Sequence, residues 1–84
     1  MTTLPLPRNE VNFRDLGEAI RGLDKSLAEL DRIAAATGLS RSQVYQAIRE
    51  PHRFYAAFCL VADFYGWRQR AGGGVGDPYF RRAA

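Results

Sequence analysis

One cysteine, one histidine and no long apolar run remove several classes of function from this 84-residue sequence before any motif is considered. A lone Cys59 permits neither an internal disulfide nor a cysteine-based zinc site. Set among apolar residues in AAFCLVADF, it is expected to be a buried, inert thiol. His52, single and beside Pro51, suits a surface or capping position better than metal binding or catalysis. No stretch reaches the roughly 18 apolar residues that a membrane span requires. The opening MTTLPLPRNEV lacks a basic region followed by an apolar one, so no signal peptide is expected. No nucleophile has an evident base partner, no GxxxxGK[ST] phosphate cradle occurs, and no metal-ligand cluster is spaced for use. The run GGGVG follows a helical pattern rather than a strand and reads as a linker. These absences point away from an enzyme and from any cofactor, metal or small-molecule substrate. They also fit a reducing, cytoplasmic setting. No internal repeats occur.

What is present is ordinary in bulk and uneven in detail. Hydrophobic residues make up 46% and charged residues 25%, as in soluble globular domains. A chain this short holds one domain with a core near the lower limit for independent stability, which a second copy would extend. Net charge is +3, but residues 1–31 carry four basic and six acidic side chains, whereas residues 32–84 carry eight arginines against three acids. That bias is a modest electrostatic signature of nucleic-acid binding, and a solvated basic face is the bland alternative.

Pro5 and Pro7 mark residues 1–11 as a flexible N-terminal arm. Phe13, Leu16, Ile20 and Leu23 recur at helical spacing and predict a first helix over about 12–24. SLAE at 26–29 is a capping box that opens a second helix running to Thr37 and burying Leu27, Leu30, Ile33 and Ala34. Gly38 sits where a helix end takes left-handed backbone. Ser40 is a natural N-cap for a third helix with Val44, Ala47 and Ile48 inward, and Pro51 ends it. A fourth helix over roughly 52–67 has two apolar stripes, one of Phe54, Phe58, Val61 and Tyr65, the other of Ala57, Leu60, Phe64 and Trp67. A small domain buries one such stripe, so a partner is expected on the surplus. A homodimer seam is expected at Phe54, Phe58, Val61, Tyr65 and Trp67. Residues 68–84 read as a Gly-rich linker and basic tail.

The stretch IAAATGLSRSQVYQAIR, residues 33–49, meets the demands of a helix-turn-helix. Ala34 is small where the second helix must pass close, Gly38 supplies the turn, and Leu39 plugs the gap beneath it. Val44 anchors the second helix, and Ile33 and Ile48 complete the shared core. LDRIAAATGLSRSQVYQAI resembles the helix-turn-helix of lambda-repressor-like (XRE-type) regulators. Within that group it is most similar to small HigA-like antitoxins and to compact plasmid and phage repressors. The polar REPHR turn and the apolar helix that follows fit the same layout. The resemblance covers about residues 12–67. It implies an all-α fold of four to five short helices with a central helix-turn-helix, an N-terminal arm and a C-terminal tail.

On that reading the third helix enters the major groove of duplex DNA. Ser40, Arg41, Ser42, Tyr45 and Gln46 are the expected base contacts: arginine suits guanine O6 and N7, glutamine suits adenine N6 and N7, and tyrosine suits a sugar or a thymine methyl. Arg32, Arg49 and Arg53 are expected on the phosphate backbone. The expected function is sequence-specific repression by a homodimer on an inverted repeat, in the cytoplasm with the nucleoid. Two alternatives stand beside it: an antitoxin that neutralises a toxin protein and represses its own promoter, and a helical interaction adaptor that does not bind DNA.

Overall fold

Side-chain caps set where the helices begin. Asn12 accepts a hydrogen bond from the Asp15 amide at 2.8 Å and starts α1, Phe13–Arg21. Ser26 accepts from the Glu29 amide at 3.2 Å and starts α2, Leu27–Thr37. Ser40 starts α3, Arg41–Arg49, and α4, Tyr55–Phe64, follows a turn at Pro51–Phe54 without a side-chain cap. The structure, a computed structural model, describes residues 9–23, 26–70 and 78–82.

The inward residues of the first three helices are largely those the periodicity picks out. Phe13, Leu16, Ile20, Leu30, Ile33, Val44, Ala47 and Ile48 are all buried, with Ala34, Leu39 and Leu23 packed partly against them. Leu27 is a correction: it is 64% exposed rather than buried. As the first residue of α2, it stands at the helix end, outside the inward stripe that begins at Leu30.

The all-α expectation is also corrected. The protein is mostly helical but carries a three-stranded antiparallel sheet of β1 (Glu10–Asn12), β2 (Trp67–Gln69) and β3 (Tyr79–Arg82) in the order β1-β3-β2. Val11 pairs with Phe80, which in turn pairs with Gln69. Part of the expected arm and part of the expected tail are therefore sheet, and β3 joins the two ends of the domain. Residues 1–8 of the arm and residues 71–77 of the Gly-rich linker lie outside the described residues.

The sheet packs on α1 and α4 and contributes Val11, Trp67 and Phe80 to the core. Phe13 sits among aromatic rings, edge-on to Phe58 at 5.2 Å, Tyr55 at 5.4 Å and His52 at 4.8 Å. Edge-to-face pairs of this kind add to the area the rings bury. Gly66, at φ +88°, makes the turn from α4 into β2. Cys59 is half-buried, 4.0 Å from the Gln69 amide oxygen, and burial pushes its thiol upward in pKa.

The α4 seam is corrected by the same packing. Phe58, Val61 and Trp67 are fully buried and Tyr65 is 2% exposed within a single copy, with Phe54 half-buried. Four of the five residues expected at a dimer seam are thus committed to the protomer core, because the sheet supplies the second apolar surface that α4 needed. The apolar residues left exposed on α4 are Ala56 and Leu60, the latter 44% exposed, with Ala57 and Phe64 half-buried. No helix among the described residues is long and apolar enough to cross a membrane.

Candidate functional site

The turn between α2 and α3 is held by a closed set of short bonds. Gly38 adopts φ +79° and its amide donates to the Ala34 carbonyl at 2.9 Å. The Thr37 hydroxyl donates to the Ile33 carbonyl at 2.7 Å and accepts from the Leu39 amide at 3.3 Å. Ser40 and Gln43 cap each other: the Ser40 oxygen accepts from the Gln43 amide at 3.1 Å, and the Ser40 amide donates to the Gln43 side chain at 2.9 Å. Two donors that a helix start leaves without partners are satisfied in this way, which fixes the direction in which α3 leaves the turn. Inward, Val44, Ala47 and Ile48 seat α3 against α4, α2 and α1.

That seating leaves Ser40, Arg41, Ser42, Tyr45, Gln46 and Arg49 exposed. Four of the five expected base contacts come together: Arg41, Ser42, Tyr45 and Gln46 line a groove of about 580 Å³, with Leu27 and Leu30 of α2 as its other wall. Tyr45 is 43% exposed and Leu27 64%, so the groove presents an aromatic ring and a leucine beside the polar side chains of Arg41, Ser42 and Gln46. Ser40 does not line the groove, and its hydroxyl oxygen is engaged in the cap.

Arg41 is held. Its Nε–H donates to Asp31 Oδ1 at 2.7 Å and its Nη2 to Oδ2 at 3.3 Å, a two-pronged contact across the turn from α2. Exposed pairs of this kind contribute little to stability, so the effect of Asp31 is on orientation and charge. Neither Asp31 nor Leu27 stands out in the sequence as part of a site. The signal for Asp31 is an acid ten residues before an arginine across a helix-turn-helix turn. For Leu27 it is an apolar residue in the first turn of a helix whose inward stripe begins later.

The three arginines expected on a phosphate backbone are outside the groove. Arg32 is exposed on α2 and donates to Glu29 at 3.2 Å. Arg49, at the end of α3, and Arg53, in the following turn, are exposed and form no ion pair among the described residues. The Arg53 guanidinium lies 5.5 Å from the centre of the Phe54 ring. Glu29 also accepts a hydrogen bond from the Tyr65 hydroxyl at 3.4 Å, and burial together with that carboxylate pushes the Tyr65 phenol up to about 12. Among the described residues no group of three or more His, Cys, Asp or Glu side chains is placed to hold a metal ion. Comparison of the chain with protein-family models, with curated proteins and with solved structures finds no match.

Proposed function

We propose that this protein is a sequence-specific DNA-binding repressor that acts as a homodimer, with α3 as the helix that enters the major groove. The observation that carries the reading is the hydrogen-bonded turn at Gly38 and Ser40, after which Arg41, Ser42, Tyr45 and Gln46 line one exposed groove. Arginine and glutamine have the donor geometry for guanine and adenine edges, and an exposed aromatic suits the thymine methyl. Arg32 on α2, Arg49 at the end of α3 and Arg53 in the following turn are exposed and carry charge suited to phosphates, and the N-terminus of α3 adds its partial positive charge.

Two copies place two α3 helices in successive major grooves about 34 Å apart. On this reading the second copy packs on the outer side of α4, and the exposure of Leu60 beside half-buried Phe64 supports that choice. Repression follows from occupying a promoter and excluding polymerase.

Binding to a mixed-sequence duplex, measured against salt concentration, tests the reading. Three backbone arginines per copy, six in the dimer, give a slope of log affinity on log salt of about −5. No binding at low salt, or binding that salt does not change, would favour an interaction adaptor instead.

A further inference from the structure

The Asp31–Arg41 contact has a geometry that bears on how the groove discriminates. A guanidinium has five N–H donors. Asp31 takes the side-on pair, one from Nε and one from Nη2. The end-on pair, one N–H from each Nη, is left over, and it belongs to a side chain that lines the groove with Ser42, Tyr45 and Gln46. An end-on pair is a two-pronged donor that matches O6 and N7 of guanine.

We infer that Asp31 is a positioning and specificity-determining residue: it holds Arg41 in one orientation for a guanine and discounts the attraction of Arg41 for phosphate. The inference rests on the DNA-binding reading and deepens it. Two effects act together. An unrestrained arginine on an exposed helix start samples many rotamers, and fixing it in advance removes part of the entropy lost on base contact. The neighbouring carboxylate also cancels much of the charge that would draw Arg41 to any phosphate, so contact with an incorrect sequence leaves Asp31 near the DNA backbone without compensation. Discrimination against wrong sequences therefore comes partly from an acid that touches no base.

Asp31 is 54% exposed in its side chain and Arg41 52%, so substitution at Asp31 opens no cavity. Asp31→Asn keeps the shape and removes the charge. The test uses the full chain and the duplex that wild type selects from a random pool. Affinities of wild type, Asp31→Asn, Asp31→Glu and Arg41→Ala are measured for that duplex and for a scrambled one, with melting temperature as the folding control. Asp31→Asn is expected to bind the selected duplex about tenfold more weakly, the order of discrimination a two-pronged guanine contact supplies, and to bind the scrambled duplex more tightly. Asp31→Glu, which retains a carboxylate, is expected to keep most of the specificity ratio. Replacing the selected guanine with 7-deazaguanine, which lacks the N7 acceptor, should cost wild type more than Asp31→Asn.

An unchanged specificity ratio in Asp31→Asn, on a duplex for which Arg41→Ala loses specificity, overturns the inference and leaves the DNA-binding reading intact. If wild type selects no duplex, the DNA-binding reading falls and the inference with it.

Discussion

Phe80 of β3 stacks on Phe13 of α1, with ring centroids 6.4 Å apart and planes at 29°. Phe80 is fully buried and also meets Phe58 edge-on at 5.8 Å. The last described strand is thereby an integral part of the core. Replacing a buried phenylalanine with alanine costs about 3–5 kcal/mol, a large share of the stability of a small domain. Phe80→Ala is expected to lower the denaturant midpoint steeply or to prevent cooperative unfolding. An unchanged midpoint would show that the strand is an appendage.

Two glycines are expected to respond differently to alanine. At Gly38, φ is +79° and an added Cβ meets nothing within 4 Å, so the penalty is purely conformational. Left-handed backbone costs a non-glycine residue about 1–2 kcal/mol, and Gly38→Ala should lose that much in chemical denaturation. At Gly17, in the middle of α1, an added Cβ would lie 3.6 Å from Pro51 Cγ, an ordinary contact. Gly17→Ala should therefore be neutral or stabilising by up to about 1 kcal/mol from helix propensity.

Alkaline pH should unfold the protein through its buried phenols. The Tyr65 pKa is raised from 10.0 to about 12 by burial and by the Glu29 carboxylate. Burial raises Tyr55 in the same direction. A raised pKa means that the fold favours the neutral phenol, so this contribution is complete below pH 10 and is lost as pH climbs towards 12. Unfolding free energy measured across that window should fall, and Tyr65→Phe should flatten the fall. A pH-independent stability there would contradict the assignment.

The apolar lip of the groove predicts a base preference. Leu27 and Tyr45 are exposed side by side on its lining, and the apolar feature that a major groove offers is the thymine methyl. Exchanging thymine for uracil in a bound duplex removes that methyl alone. At one thymine of each half-site the exchange should weaken wild type several-fold, within the roughly 1–3 kcal/mol scale of a base contact, and leave Tyr45→Ala nearly unaffected. Equal losses for both proteins would remove Tyr45 from the contact.

The parts legible in the sequence are those fixed locally. The caps at Ser26 and Ser40 act within three residues, the left-handed Gly38 is a one-residue event, and the Val44, Ala47 and Ile48 face follows from helical period. The illegible parts are set by distant chain. The strands are three or four residues long, too short for alternation to stand out, and β1 meets β3 across nearly the whole sequence. That missing sheet is why the aromatic face of α4 reads as surplus when it is core. At the site, Arg41, Ser42, Tyr45 and Gln46 could be placed from the helical wheel alone. The hold of Asp31 on Arg41 depends on how α2 and α3 cross, which residue spacing does not fix.

Selection from a pool of random duplexes at near-physiological salt decides whether α3 reads sequence. Convergence on an inverted repeat whose half-sites are about one helical turn apart is expected, with loss of enrichment in Arg41→Ala. A pool that stays random while the protein is folded would show that α3 does not read sequence.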